Sequence, residues 1–440
     1  MKKSKSSKKS KLKKKSSPKR RSAPEPKFAA GQGKSTMSKE STADPDGSRT
    51  MIPRSKENNY TNEMAAERRE FIKKMTGVEI KHLANYSFDP QILKNNLENF
   101  FGVAQIPVGL AGPLLVKGEY AKGEFYVPLA TTEGTLVASY NRGMRLSRQC
   151  GGITTTVVDE AMNRAPVFCF ESAREARKFG QWLKDNFAEI KAKAEATDPF
   201  CRLKLIEQYA VGKLLYTRFD YITGDAAGQN MVGKATFAVC EWLKSTFPDI
   251  KQYYLSGNID TDKKHSFMNS LHTRGKRVIA EVTIPNEAYI TISKNITREM
   301  FRFRNIANTG AMLAGSNNNG QHAANGITAM FIACGMDVAN LAESSAALLY
   351  SDLLPDGSYY YSITIPSLIV GTFGGGTGLP TQTECRKILG CDGKNTAKKL
   401  AEIIAATVLC GEISLGAAII GKHWVSSHEQ YGRNPPQEKK

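Results

Sequence analysis

The chain has 440 residues, 41% of them hydrophobic, which is too long for one small core and enough for two or three packed units. A formal charge of +19 would suggest a nucleic-acid or membrane partner if it were spread evenly. Twelve of those excess charges fall in residues 1–22 and two more in residues 23–56, so about +5 remains for residues 57–440, ordinary for a globular body. The eight cysteines are scattered, with no CxxC and no Cys/His cluster, so they read as reduced, mostly buried thiols; no metal site is expected.

In chain order, residues 1–56 form a Lys/Ser-rich tail with too few apolar groups to fold, neither amphipathic nor Arg-rich enough for a transit peptide. It is read as a solvated tail, the functional alternative being a nuclear localisation signal or a tether to anionic lipid or nucleic acid. A helix follows, with Glu63, Glu67, Arg68, Glu70 and Lys73 on its charged face. Gly- and Pro-punctuated apolar sequence runs from Phe100 to Leu115. Between Thr154 and Ile250, β-branched or apolar runs (Thr154–Val158, Val167–Phe170) alternate with helical segments (Ala173–Ala192, Ala235–Ser245), which suggests a compact α+β unit. Asn305–Leu349 and Leu400–Ile420 are nearly uncharged with helical spacing and predict buried helices. No run of roughly 18 or more apolar residues reads as a transmembrane span. The best candidate, Ile403–Cys410, is closed off by Glu402 and Glu412.

Few polar residues stand out as chemistry. Glu133 is the only charge between Glu124 and Arg142, and isolation in apolar surroundings raises a carboxyl pKa toward that of a proton donor. The plainer alternative is a solvent-facing turn residue before Gly134. Asp337 is the only charge between Arg304 and Glu343 and needs a cation or hydrogen bonds, either as a helix cap or as part of a site. Lys263 and Lys264, in Ser256-Gly-Asn-Ile-Asp-Thr-Asp-Lys-Lys-His265, are candidate cations; an ammonium there would stabilise an oxyanion at a reduced carbonyl. Thr223–Asn230 is Gly-rich but lacks the G-x-G-x-x-G pattern. Gly371–Gly378 offers backbone N–H groups for phosphate or simply a flexible turn. His428 is a candidate general acid or an inert tail histidine.

Glu98-Asn-Phe-Phe-Gly-Val-Ala-Gln-Ile-Pro-Val-Gly-Leu-Ala-Gly-Pro-Leu114, Ala-Thr-Thr-Glu133-Gly, Gly224-Asp-Ala-Ala-Gly-Gln-Asn230, Ser256-Gly-Asn with Asp262-Lys-Lys264, His322-Ala-Ala-Asn325, Ala333-Cys-Gly-Met-Asp337 and Gly371-Thr-Phe-Gly-Gly-Gly-Thr377 follow one another in order. Together they resemble the catalytic portion of hydroxymethylglutaryl-coenzyme A reductase, in its class I form, over roughly residues 60–433. The resemblance implies reduction of (S)-3-hydroxy-3-methylglutaryl-CoA to (R)-mevalonate and CoA by two NADPH, NADH being the less favoured cofactor. It assigns catalysis to Glu133, Lys263, Asp337 and His428, and substrate binding to Arg164, Ser256, Asp262, Lys264 and Asn325. Cofactor binding falls to Asp225, Gly228, Gln229, Asn230, Gly374, Gly375, Gly376 and Thr377.

The family architecture implied is α+β and multi-domain. A small helical domain takes residues 57–101, and a large domain around a long buried helix takes 102–164 and 266–440. A ferredoxin-like cofactor domain is inserted at 165–253, and residues 254–265 form the connecting catalytic loop. A homodimer or homotetramer with sites at subunit interfaces is implied, with no nucleic acid required and a cytoplasmic location. Two positions depart from the family pattern. Asn434 stands where animal members carry a phosphorylatable serine, and Asp198-Pro199 where some members place Ser-Arg near the cofactor's 2′-phosphate. If that segment is helical, Arg202 lies one turn from Asp198 and becomes the 2′-phosphate partner. The alternatives are an inactive reductase-like binding protein recruited by its basic tail and a dehydrogenase for another acyl-CoA.

Overall fold

The computed structural model describes residues 51–422. Most of the basic tail, together with His428 and Asn434, lies outside the described residues. The first helix, α1 (Asn62–Thr76), is capped by Thr61, whose hydroxyl accepts the Met64 amide, and stopped by left-handed Gly77. Arg68, expected on its charged face, is instead buried. Its guanidinium donates to the carbonyls of Pro53, Asn59 and Phe100 and to Asn59 Oδ1, enough acceptors to offset the loss of water.

Ten strands follow: β1 (Val108–Gly118), β2 (Lys122–Ala130), β3 (Ile153–Arg164), β4 (Val167–Cys169), β5 (Arg202–Val211), β6 (Leu214–Ile222), β7 (Gln252–Tyr254), β8 (Gly275–Ile284), β9 (Leu348–Leu353) and β10 (Tyr359–Leu368). They form one mixed sheet ordered β7-β4-β6-β3-β8-β10-β9, with β1 and β2 joined at β3 and β5 joined at β6. Every pairing is antiparallel except β1 with β3. β3 carries the sheet across: Thr154–Ala161 pair with β8, and Met162–Arg164 pair with β6.

Two hydrophobic clusters lie along this sheet. One packs α3 (Ala173–Asp185), α4 (Phe187–Glu195) and α5 (Gln229–Thr246) on β4–β6 through Phe168, Phe179, Leu215 and Val239. The predicted helix over Ala173–Ala192 is thus two. The break falls at Asn186, a weak helix former whose side chain and amide both turn back to the Trp182 carbonyl.

The larger cluster surrounds α12 (Ala397–Ile420), 24 residues long and buried on nearly every face. It is long and apolar enough to cross a membrane, yet it is the core helix here. Its neighbours include α2 (Leu136–Gln149) and α9 (Ala323–Cys334). The two glutamates bounding the apolar run accept backbone amides. Glu402 holds those of Glu119, Tyr120 and Ala121 in the β1–β2 turn, and Glu412 those of Gln321 and His322 at the start of α9.

Buried helices were expected across Asn305–Leu349. α9 fits, but α8 (Thr297–Leu313) leaves Ile306, Met312 and Leu313 exposed, and β9 has begun by Leu348. All eight cysteines are free, six of them buried, and burial pushes the Cys410 thiol up to about 12. Where α2 crosses α12, a Cβ added at Gly143 would overlap the Cys410 carbonyl. Gly143→Ala should therefore cost about 2–3 kcal/mol in urea unfolding; an unchanged midpoint would show that the crossing relaxes without strain.

Candidate active site

The Ser256–Lys264 loop runs from β7 toward α6 (Phe267–Leu271), which Ser266 caps. Three of its non-glycine residues, Asn258, Thr261 and Lys263, have left-handed backbones, and Lys263 has φ 55°. Such conformations persist only where surroundings hold them. Here the Gly257 amide donates to the Ala165 carbonyl at 2.6 Å, and Thr261 Oγ1 bonds Asn269 Oδ1. The Lys263 amide donates to Glu343 Oε1 at 3.0 Å.

The loop presents Lys263 Nζ 2.8 Å from Asp337 Oδ2, both side chains a little under half exposed. Asp337 lies just beyond α9, and its Oδ1 accepts the Ala339 amide at 3.0 Å. One carboxylate oxygen thus caps the turn and the other meets a cation, the two kinds of partner the sequence asked for. Its Lys263 hydrogen bond raises the Lys263 pKa, with desolvation working against it. At Asp337 burial pushes upward, but the bond from Lys263, the Ala339 amide and the Lys263 charge together outweigh it and hold the carboxyl below its ordinary value.

In or against the same loop lie four of the five predicted substrate-binding residues, Arg164, Ser256, Asp262 and Lys264, but not Asn325. Arg164, the last residue of β3, places Nη1 3.3 Å from Asp260 Oδ2 and 3.9 Å from Asp262 Oδ2. Ser256 Oγ donates to Asp260 Oδ2 at 3.0 Å, and the exposed Lys264 Nζ donates to the Asp262 carbonyl at 3.1 Å. Sequence reasoning missed Asp260, Arg274, Asn340 and Glu343. Arg274 Nη2 meets Asp262 Oδ1 at 2.7 Å, and its Nη1 meets Glu343 Oε1 at 2.6 Å, with the Arg274 and Glu343 side chains fully buried. Glu343 carried a signal, as the first charge after Asp337 in an apolar stretch; Arg274, within Arg274-Gly-Lys-Arg277, reads as surface.

Glu133 follows β2 and is exposed rather than enclosed by apolar residues. It borders a cavity of about 260 Å³ lined also by Ile106, Thr131, Leu136, Asn325 and Ile332. Asn325 Nδ2 donates to Glu133 Oε1 at 3.3 Å and lies 3.0 Å from His322 Nδ1. Burial, then the Arg142 charge, lowers the His322 pKa to about 4, so the ring is neutral near pH 7. With Nδ1 accepting from Asn325, its proton sits on Nε2, 3.3 Å from Ser139 Oγ. Asn325 is in the first turn of α9 and Asp337 lies past its end. At 1.5 Å per residue, α9 spans roughly 14 Å from Asn325, which meets Glu133, to its last residue, Cys334.

The two Gly-rich stretches meet. The Asp225 carbonyl accepts the Thr372 and Phe373 amides, and Gly371 packs so closely on Ala227 N that a Cβ would crowd it. Gly228 caps α5 with φ 89° and no side-chain bond, which leaves first-turn amides available to an anion. Gly374 and Gly375 have positive φ with open space where a Cβ would stand, and Thr377 Oγ1 donates to the Gly374 carbonyl. Gly376 lies against the backbone of Gly335. Asn230 is exposed in the first turn of α5.

The Asp225 carboxylate accepts the Asn395 and Ala397 amides at the head of α12, so its side chain is engaged in the fold. Gln229 Nε2 donates to Asn340 Oδ1 at 2.9 Å and to Asp262 Oδ1 at 3.3 Å, tying this turn to the lysine loop. The helical placement of Arg202 is corrected. α4 ends at Glu195, Pro199 forbids its continuation, Asp198 Oδ1 accepts the Phe200 amide in a turn, and Arg202 opens β5. It pairs there with Ile222, the residue before the Thr223–Asn230 turn.

The family profile described as hydroxymethylglutaryl-coenzyme A reductase matches residues 64–433. A 3-hydroxy-3-methylglutaryl-coenzyme A reductase of Pyrococcus abyssi is 42% identical over 376 residues, 83% of this chain and 92% of that one. The Methanocaldococcus jannaschii enzyme is 43% identical over 83% of this chain and 92% of its own, and Arabidopsis thaliana reductase 1 is 40% identical over 84% and 64%. A solved Streptococcus pneumoniae reductase superposes with a TM-score of 0.59 at 21% identity, covering 80% of this chain and 96% of that one. The chain belongs to the hydroxymethylglutaryl-coenzyme A reductase family, with its archaeal, plant and animal class I members. Its activity is the reduction of 3-hydroxy-3-methylglutaryl-CoA in the mevalonate pathway.

Pairing of Lys263 with Asp337 has a titration signature. With the aspartate pKa lowered and the lysine pKa raised, the pair is complete at neutral pH. It is lost as pH falls through the folded Asp337 value or rises through the folded Lys263 value. A ¹³C titration of Asp337 should give a midpoint below 3.8, moving upward in Lys263→Ala because burial then acts against less opposition. A midpoint unmoved by that substitution would show that the pair does not form in solution.

Proposed function

We propose that the reduction is carried out at a site in which Lys263 stabilises the oxyanion formed when the thioester carbonyl is reduced, and Asp337 fixes and charges that lysine. The 2.8 Å Lys263–Asp337 contact, presented by a loop with a left-handed backbone at the lysine, carries this reading. Arg164, Ser256 and Lys264 offer cations and a donor suited to the free carboxylate of the substrate, and Asp262 an acceptor for its hydroxyl. Glu133, with Asn325, donates a proton to the carbonyl in the second reduction, and its cavity takes the adjoining part of the thioester. His428 is assigned protonation of the departing CoA thiolate.

A nicotinamide cofactor, when bound, supplies the two hydride equivalents. The open first turn of α5 at Gly228–Asn230 and the backbone of Gly374–Thr377 suit its phosphates. Residues 165–253 then serve as an inserted ferredoxin-like cofactor domain with its own hydrophobic cluster. Residues 57–101 form a small helical domain, 102–164 and 266–440 the large domain about α12, and 254–265 the connecting loop.

The site is completed between subunits of a homodimer or homotetramer. α9 holds Glu133 and Asp337 of one chain at opposite ends, so the glutamate serving Lys263 comes from a second copy. The exposed Ile306, Met312 and Leu313 of α8 supply an apolar surface for that assembly. Glu133→Ala and Lys263→Ala should each abolish turnover alone. Co-refolded as a mixture, they should regain up to about a quarter of parental activity, because half the sites of each mixed dimer are intact. No recovery, with mixed dimers demonstrated, would mean that each chain builds its own site.

NADPH is the proposed cofactor, with Arg202 as the 2′-phosphate partner. Its register opposite Ile222 sets it beside the Thr223–Asn230 turn, and a Streptococcus pneumoniae reductase of this fold was solved bound to NADPH. Arg202→Ala should lower kcat/KM for NADPH about tenfold or more while sparing NADH. An unchanged ratio removes Arg202 from this role, and a parental preference for NADH removes the NADPH assignment.

A further inference from the structure

The Arg274–Glu343 pair is fully buried, charged, and outside every role assigned above. A buried ion pair is not in itself a source of stability, since desolvation of both groups offsets their attraction. Here the pair is wired into the reactive loop at two successive residues. Glu343 Oε1 accepts Arg274 Nη1 at 2.6 Å and the Lys263 amide at 3.0 Å, while Arg274 Nη2 donates to Asp262 Oδ1 at 2.7 Å. Glu343 Oε2 is buried with no hydrogen-bond partner among the described residues, so the carboxylate spends its bonding on the one oxygen that touches the loop.

The backbone it holds is the unusual one. Lys263 has φ 55°, a conformation that an L side chain rarely adopts and keeps only when other contacts over-determine it. Rotation of that residue back to an ordinary φ would swing Nζ away from Asp337.

We propose that Glu343, seated on Arg274, is the positioning residue of the reaction: its bond to the Lys263 amide holds the left-handed backbone that aims Nζ at Asp337, and Arg274 sets the neighbouring Asp262 in the same act. This inference rests on the assignment of Lys263 as the oxyanion-stabilising group. The requirement is for reach first and charge second, because an amide N–H needs an acceptor at a fixed place rather than a negative charge.

Three substitutions separate these demands. Glu343→Gln keeps an oxygen at the same reach without the charge, Glu343→Asp keeps the charge one methylene short, and Glu343→Ala removes both. Steady-state kinetics of the full chain would be normalised to the folded fraction measured by circular dichroism. Glu343→Ala and Glu343→Asp should lose tenfold or more in kcat with less than about threefold change in cofactor KM, while Glu343→Gln keeps at least a third of parental kcat. Parental kcat per folded molecule in all three, or Glu343→Asp outperforming Glu343→Gln, overturns the proposal. Lys263→Ala assayed in parallel distinguishes the two ideas. If it is inactive while the Glu343 series is unimpaired, the lysine assignment stands and the positioning role falls; if it turns over normally, the lysine assignment itself falls.

Discussion

The carboxylates of and around α12 connect a hydrophobic core to a polar site. A helix of 24 residues, apolar on nearly every face, buries a large area but cannot by itself specify where loops sit, because dispersion and burial are indifferent to direction. Three acidic groups supply that direction. Glu402 gathers three amides of the β1–β2 turn, Glu412 gathers two at the start of α9, and Asp225 caps the head of α12 from a distant turn. Each is a carboxylate that accepts backbone donors, and the bonds to the Ala121 and His322 amides are buried where no water could replace them.

The consequences reach the site along short paths. With Glu412 on the His322 amide, the first turn of α9 is set, and with it Asn325 and its contact with Glu133. With Asp225 on the Ala397 amide, the turn that precedes α5 is set against Gly371–Thr377. Gln229 then carries this placement to Asp262 and Asn340. Segments far apart in the chain are thus referred to one helix. The far end of α9 leads to Asp337 and its contact with Lys263, while the first turn carries Asn325 to Glu133.

The lysine loop follows a different rule. Its side chains face solvent at about half exposure, so Coulomb attraction between Lys263 and Asp337 is weakened by water and cannot alone hold a strained backbone. Beneath it the Arg274 and Glu343 side chains are fully buried and bond Asp262 and the Lys263 amide. A half-exposed ion pair is thus carried by a loop bonded to a buried charged pair.

Motif order, composition and charge isolation were enough to recognise the family, the α+β class, the buried C-terminal helix and the need of Asp337 for a partner, because these depend on local chemistry and on periodicity along the chain. Geometry set by distant neighbours was not legible. Arg68 looked like a surface residue until the carbonyls of Pro53, Asn59 and Phe100 came together around it. Nothing in the sequence tied Asp225 to α12, yet its oxygens meet the amides before and within that helix, 170 and 172 positions away. Asp198–Arg202 follows turn chemistry rather than the helix that would have set Arg202 one turn from Asp198, and Glu402 and Glu412, read as the ends of an apolar run, are acceptors for loops remote in the chain. A sequence states which groups must find partners. Only the tertiary structure, by removing water and bringing remote backbone amides within 3 Å, decides which partners they find.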